Sequence, residues 1–375
     1  MSKKIDEDTW MVCSVCKTRL KKERLPAHMK RVHNKKMDDE ELKNVGMYHK
    51  QQKKNKTPSF ISKRTFCVIA ILFVVAVAVI SLYFLFYAQN DKISYFVSSD
   101  GKGDFSSIQE AIDSASKNDI LYVSNGTYFE NIKITKSIEL IGEDKNTTII
   151  NGNSKGTVVS ISADHVKISG FTITNGGPES ANPPDSGIKI GSSYNTISDC
   201  IIASNKNYGL YLDANPDNII KFNTFSTNKY GIYAFNAKTN NISSNTFVSN
   251  TEYGMYFTSQ SDDNLVSDNL FTENLYAIRI KGSEKNTFIK NLITNNEYGL
   301  YFCCGSLSNI VYNNRFIKNI NWHVSADPGN IWDNGKVGNY WDDYTGTDAN
   351  GDGIGDIPYL IKGDEEDRFP LMEPK

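Results

Sequence analysis

Asparagine returns along the second half of the chain at a nearly fixed interval. Asn205, Asn228, Asn250, Asn274, Asn296 and Asn319 are separated by 23, 22, 24, 22 and 23 residues. Five residues upstream runs a second series, Cys200, Asn223, Asn245, Asn269, Asn291 and Asn314. Two residues after that series comes an apolar one, Ile202, Phe225, Phe247, Phe271, Ile293 and Phe316. A turn-like series, Gly187, Gly209, Gly231, Gly254, Ala277 and Gly299, keeps the same step. A period of this length confines the chain to stacked repeats, each of which completes its core against its neighbours. Leucine-rich repeats need a regular Leu framework, which is absent. The apolar residues instead alternate in short runs such as Leu210-Tyr211-Leu212 and Ile232-Tyr233-Ala234, the period of a strand. Each repeat is therefore expected to be a coil of about three short strands, and coils stack about 4.8 Å apart. Like side chains then lie above one another: Asn residues hydrogen-bond along the axis, and Phe residues fill the core. The expected class is all-β, a parallel β-helix with about 22–24 residues per coil.

The segment ahead of the repeats reads as the start of such a solenoid. Tyr95-Phe96-Val97 leads into a helix signal in which Ser107 and Glu110 form a capping box. Ile108, Ala111, Ile112 and Ala115 make one apolar face. A helix there would close the open end of the first coil against edge pairing. This opening, the Asn-rich coils and the ending Gly338-Asn339-Tyr340-Trp341-Asp342-Asp343-Tyr344 resemble the NosD-like proteins. Those belong to the pectin-lyase-like group, also described as carbohydrate-binding and sugar-hydrolysis domains. The resemblance covers about residues 93–372. It implies a right-handed parallel β-helix over 93–325 with an N-terminal cap, a C-terminal cap over 326–375, and an archaeal cell surface as its setting.

Charge divides the chain. Residues 1–64 carry 18 Lys and Arg against 8 Asp and Glu, and the residues after 64 carry 23 against 35. Between them, Thr65 to Asn90 hold no charge, and residues 65–88 are almost wholly apolar. About 20 apolar residues cross a bilayer core as a helix, so 65–88 is expected to be a single transmembrane span. Lys50, Lys53, Lys54, Lys56, Lys63 and Arg64 precede it and only Lys92 follows closely, which places the N-terminus in the cytoplasm and the β-helix outside. The basic linker, residues 36–64, suits anionic lipid heads.

Within the head, Cys13, Cys16, His28 and His33 follow C-x2-C-x11-H-x4-H. Two thiolates and two imidazoles suit tetrahedral zinc, and residues 11–33 resemble the two-Cys, two-His fingers, one residue short in the central loop, so a zinc-finger domain is expected over 11–35. Leu20 and Leu25 stand where such a finger keeps its apolar core. Lys30, Arg31, Lys35 and Lys36 suit phosphates, so nucleic acid stays open beside a protein-docking role; one finger reads only about 3 base pairs. Cys200, Cys303 and Cys304 are read as packed thiols.

Outside the membrane the expected role is binding of carbohydrate or a cell-envelope polymer. Strand alternation turns Lys189, Tyr211, Tyr233, Tyr256, Arg279 and Tyr301 outward as a stripe on which sugar rings can stack. The bland reading is that surface Tyr residues only stabilise the sheet. A polysaccharide lyase or glycoside hydrolase is the alternative, but no catalytic constellation is recognised. Arg279-Ile280-Lys281 matches a triplet of polygalacturonases without that family's paired Asp or Gly-His-Gly motifs. Copper delivery, which the resemblance also brings in, would want soft or imidazole ligands, and His165, His323, Met255 and Met372 are scattered. Asn125, Asn146 and Asn241 head glycosylation sequons. Asp348, Asn350, Asp352, Ile354 and Asp356 resemble a calcium loop: oxygens at alternate positions, with Gly353 at the turn and Tyr359 where an EF-hand has its bidentate Glu.

Overall fold

The computed structural model describes residues 10–44, 75–81, 92–177, 184–362 and 365–374. It divides into two compact units, Met1–Tyr83 and Phe84–Lys375. In the first, strands Trp10–Val12 and Arg19–Lys21 pair antiparallel, and a 3-10 turn, Lys22–Arg24, leads into the helix Leu25–His33. Pro26 sits in the first turn, where its missing N–H costs nothing. The helix stops at Asn34, whose φ of 50° is left-handed. Its inner face buries Leu25 and Met29 against Cys13, with Leu20, Met11 and Met37 alongside. Leu20 and Leu25 thus occupy the expected core, and Met29 joins them. Of the expected span, 75–81 is helical and exposed; the rest of 65–88, and 45–64 of the basic linker, lie outside the described residues. Among the described residues, no helix is long and apolar enough to cross a membrane.

The second unit is a parallel β-helix. Its coils feed three sheets of 10, 10 and 9 strands. Sheet I runs from Ser94–Val97 to Ile310–Tyr312, sheet II from Gly126–Tyr128 to Tyr340–Trp341, and sheet III from Ile132–Ile134 to Trp322–Ala326. In the regular coils sheets I and II use three-residue strands, such as Ile219–Lys221 and Thr224–Ser226, whereas sheet III uses six-residue strands such as Tyr230–Phe235.

The Asn corners of the regular coils repeat one device. A residue with left-handed φ precedes an Asn: Phe222 (58°) before Asn223, Ser244 (55°) before Asn245, Asp268 (55°) before Asn269. Such a conformation costs of order 1–3 kcal/mol for a residue other than Gly. The following Asn offsets it. The backbone N–H and the side-chain Nδ2 of Asn223 both donate to Oδ1 of Asn245, at 2.9 and 3.1 Å, and Nδ2 also reaches the Ile197 carbonyl at 2.9 Å. Asn245 repeats the pattern on Asn269. Both expected Asn series behave this way, and a third runs at the corner before sheet I: Asn195, Asn218, Asn240, Asn264, Asn286 and Asn309. All three are almost fully buried.

Inside, Phe225, Phe247 and Phe271 stack at 5.0 and 4.6 Å, nearly parallel. Ile293 interrupts the column, and Phe316, Trp341 and Tyr359 continue it at 4.3 and 4.2 Å. The strand ladder skips the Gly series: Tyr208 pairs with Tyr230 and Leu210 with Ile232. A Cβ on Gly209 would stand 2.6 Å from the Gly231 carbonyl, so the corner admits no side chain there.

At the N-terminal end, the helix Ile108–Ser114 buries Ile108, Ala111 and Ile112, and Ala115 beyond it. The capping box is corrected. Ser107 Oγ accepts from the Glu110 N–H as expected, but the reciprocal carboxylate is Glu130, which accepts from Ser107 Oγ, Ile108 N–H and Gln109 N–H at 2.9–3.0 Å. Glu110 is exposed; the neighbouring coil brings Glu130 closer to the helix dipole than the helix's own acid.

Because Asn245 satisfies two donors of Asn223 and the Ile220 carbonyl, Asn245→Ala should lower stability by about 3 kcal/mol. Denaturant unfolding would show this as a reduced midpoint; an unchanged midpoint would remove the ladder from the stability argument.

Candidate functional site

Sheet III carries the widest outward surface. In Tyr208–Asp213, Leu210 and Leu212 point into the core and Tyr211 points away from it. In register above and below lie Lys189, Tyr233, Tyr256, Arg279 and Tyr301. A second aromatic row stands three residues earlier: Tyr208, Tyr230, Tyr253, Tyr276, Tyr298 and Trp322. The rows interleave. Tyr208 stacks on Tyr233 at 4.6 Å, Tyr230 on Tyr253 at 5.3 Å, and Tyr276 on Tyr298 at 4.5 Å. The face is therefore a double aromatic band, and the single flat stripe of the sequence reading is its inner half. Covered by the second row, Tyr211 is only 8 % exposed, while Tyr233, Tyr256, Arg279 and Tyr301 are half-buried. The second row shares the repeat period, which was its signal. Parity hid it: Tyr208 has the inward parity of Leu210, and the break at Gly209 resets the alternation.

The band is not purely apolar. Lys189 pairs with Asp213 at 3.0 Å and Lys229 with Glu252 at 3.5 Å. Arg279 lies among rings, 5.1 Å from the Tyr256 centroid and 5.4 Å from that of Tyr301. Burial raises the Tyr233 hydroxyl to about 12 and those of Tyr211 and Tyr230 further. These phenols stay protonated at neutral pH and keep both donor and acceptor capacity.

A second constellation lies in the head. The ligand atoms of Cys13, Cys16, His28 and His33 all fall within 4.8 Å of one another. Cys13 Sγ is 3.5 Å from His33 Nε2, and Cys16 Sγ is 3.2 Å from His28 Nε2. The hairpin presents the sulfurs and the helix presents the imidazoles. Thr18, through its hydroxyl and then its backbone, pulls the Cys16 thiol down to about 5, which favours the thiolate a metal needs.

The C-terminal end holds groups that sequence reading left scattered. His323, Asp342 and Asp343 form a cluster, but its hydrogen bonds give it a structural task. Asn319 Oδ1 accepts from Asn296, so its Nδ2 is the donor, to the Ile293 carbonyl at 2.9 Å and to His323 Nδ1 at 3.1 Å. The proton then sits on Nε2, which donates to Asp342 at 2.8 Å. This imidazole ends an Asn ladder and has no free nitrogen for a metal. Asp367 ends the second ladder. Its Oδ2 accepts from Asn339 N–H and Trp341 Nε1 at 2.6 and 2.9 Å. Glu365 ends the third, taking the N–H groups of Gly329 and Asn330 and Trp332 Nε1. In the calcium-like loop, Asp348 accepts from the Gly351 and Gly353 amides at 2.7 and 2.8 Å, Asn350 from Asp352, Asp352 from Ile354, and Asp356 from Ala349.

A hollow of about 400 Å³ near the N-terminal coils is lined by Phe96, Asp100, Lys102 and Glu143. Hydrogen bonds from Lys102 and Ser98 hold the Asp100 carboxyl well below its usual range, the opposite of what a general acid needs.

The profile of a family described as "Periplasmic copper-binding protein (NosD)" matches residues 112–346. The chain belongs to this family. Among curated proteins, a probable pectinesterase 56 from Arabidopsis thaliana is 32% identical over 76 residues, 18% of this chain and 26% of that protein. The NosD-family chain thus spans about a quarter of the curated relative's length. Among solved structures, pectate lyase Pel9A aligns at 15% identity with a TM-score of 0.48, covering 66% of this chain and 82% of that one. Pectin methylesterase from carrot aligns at 14% with a TM-score of 0.38, covering 64% and 82%.

The ladder end at Asp367 gives a pH prediction. Burial raises its carboxyl to about 6, outweighing the bonds from Asn339, Trp341 and Phe369 that pull it down. An unfolded Asp titrates near about 4. The folded state therefore holds this proton more tightly, and the group's stabilisation is complete below about pH 4 and lost as pH rises through about 6. Thermal melts of wild type and Asp367→Asn should show the variant gaining on wild type between pH 4 and 7. A pH-independent difference would contradict this.

Proposed function

We propose that this chain is a membrane-anchored extracytoplasmic β-helix protein that binds carbohydrate or a cell-envelope polymer along the aromatic band of sheet III. The observation that carries this is the double row itself, from Tyr208 to Trp322 across six coils. Aromatic side chains offer a large rigid contact with little rotamer entropy to lose, and Tyr adds a polar edge. Stacked coils repeat that contact, which suits a polymer. The anchor rests on the uncharged stretch 65–88 and the Lys/Arg imbalance around it. For the enzyme alternative, no pair of facing carboxylates with one raised acid is found among the described residues of the β-helix. Copper is named in the family's description, but among the described residues of the β-helix no three Cys or His side chains gather.

Binding of oligosaccharide arrays and soluble glycans by the chain in detergent tests the reading. Tyr233→Ala, Tyr256→Ala and Tyr301→Ala combined should weaken binding at least tenfold in a protein that still unfolds cooperatively. If affinity survives the triple replacement, the rings serve the sheet alone.

The metals are part of the same proposal. Zinc at Cys13, Cys16, His28 and His33 fits the donor set, and the alternate oxygens of Asp348, Asn350, Asp352 and Asp356 support one calcium. Elemental analysis should find one zinc per chain, lost in Cys16→Ser, and calcium should raise the β-helix melting temperature except in Asp352→Ala. Full zinc in Cys16→Ser, or melting indifferent to millimolar calcium and to chelator, would refute the respective site.

A further inference from the structure

We infer that the first coils of the β-helix rest on the outer surface of the bilayer through an aromatic patch on sheet I; this rests on the reading of residues 65–88 as a membrane span. The first strand of sheet I carries Phe96, and in register beside it stand Tyr122 and Ile141. All three alternate away from the core that Val97, Leu121 and Leu140 enter. Phe96 and Tyr122 stack at 5.5 Å, yet Phe96 stays 56 % exposed and Tyr122 37 %. Past the third rung the row turns polar, through Ser169, Ser198, Lys221, Ser243 and Ser267. Ile289 and Tyr312, at the far end, are half-buried.

The bland account is that two rings stack to stabilise the end of a sheet, and single exposed apolar residues are ordinary. Three observations go beyond it. The patch is continuous over three rungs and borders a hollow of about 300 Å³, lined by its three side chains together with Val123, Ser124 and Glu143. It lies on the coils that follow the proposed span, Phe96 being eight residues after Ala88, a reach of at most about 28 Å. The strand edge beside it is not free to take up another strand at Phe96. The Phe96 N–H donates to the Asp104 carboxylate at 2.8 Å, and its carbonyl accepts from the Asp104 and Phe105 amides at 2.6 and 3.2 Å. What stays open is side-chain surface, which suits a fluid boundary between apolar and polar phases. Aromatic rings collect at that boundary in membranes, and a Tyr hydroxyl there remains among the headgroups. Charge adds little, because Glu143 lines the hollow and Lys102 is paired with Asp100 at 2.7 Å. The contact is therefore apolar and indifferent to salt, unlike that of a basic linker with anionic lipid. The aromatic band begins further along the solenoid, at Tyr208, and on another sheet, so the lipid contact leaves it free.

The test uses the full chain reconstituted in vesicles of zwitterionic phospholipid. Phe96→Trp places a fluorescent reporter on the patch, and Phe222→Trp places one at an exposed corner further along sheet I; the signal of the four native Trp residues is subtracted with wild type. Lipids brominated near the glycerol end of their chains should quench Phe96→Trp at least twofold more than Phe222→Trp, at low and high salt alike. Ile141→Trp should be quenched as well, and adding Phe96→Ser with Tyr122→Ser should cut that quenching by at least half in a protein that still unfolds cooperatively. Equal quenching of the Phe96→Trp and Phe222→Trp reporters in a chain that resists alkaline carbonate, or quenching of Ile141→Trp that survives the double replacement, overturns the inference while the anchor stands. A Phe96→Trp reporter shielded from aqueous iodide but untouched by brominated lipid means that the chain itself covers the patch, and overturns it too. Quenching that appears only with anionic lipid assigns the contact to charge, with the same consequence. A chain that carbonate strips from the vesicles overturns the anchor and the inference together.

Discussion

One side-chain hydrogen bond, repeated, holds the β-helix in register: an Asn Oδ1 that accepts from both the backbone and the side chain of the Asn one coil away. Strand pairing alone does not specify where a corner falls, because a parallel ladder of apolar residues tolerates slippage. The Asn columns remove that freedom. Each corner residue in a left-handed conformation is strained, and the Asn beside it is placed to satisfy the amides and carbonyls the turn leaves open. Strain and compensation thus recur together at the Asn corners, and short three-residue strands suffice for sheets I and II.

A column of this polarity must also end. Within the coils each Asn passes its donors to the next acceptor, so the last member needs an acceptor that is not an Asn. The three columns end on Glu365, on Asp367 and on His323 backed by Asp342. All three terminators are titratable, and two come from the hairpin of Tyr359–Lys362 and Glu365–Asp367 that folds back over the last coil. The same hairpin region brings Tyr359 onto Trp341 and closes the aromatic column. What looks in sequence like a separate acidic tail is the closure of the solenoid.

Sheet III escapes the minimal economy of the other two. Its six-residue strands and the break at the Gly corner give the coils of Tyr208, Tyr230, Tyr253 and Tyr298 two outward aromatic positions each, where simple alternation gives one. The result is a surface both wide and repetitive, with Arg279 set among its rings and Lys189 and Lys229 paired to acids. The head is a different kind of object. Among the described residues its buried core is Cys13, Leu25 and Met29, small for a unit held by burial alone.

The repeat architecture is legible along the chain. A step of 22–24 residues carrying Asn, Gly and Phe in fixed phase leaves little besides a stacked β coil, and the cluster of Cys13, Cys16, His28 and His33 was legible because its four members fall within one short segment. Tertiary structure decided whatever depends on proximity between coils. Glu130 replaces Glu110 at the helix N-terminus because 23 residues of chain return to within 3 Å. His323 ceases to be a stray imidazole because the direction of a whole Asn column fixes its proton. Tyr208 faces outward against its parity because the corner at Gly209 resets the pleat. In each case the deciding distance runs along the solenoid axis, where neighbours in space are a full coil apart in sequence and no local pattern records them.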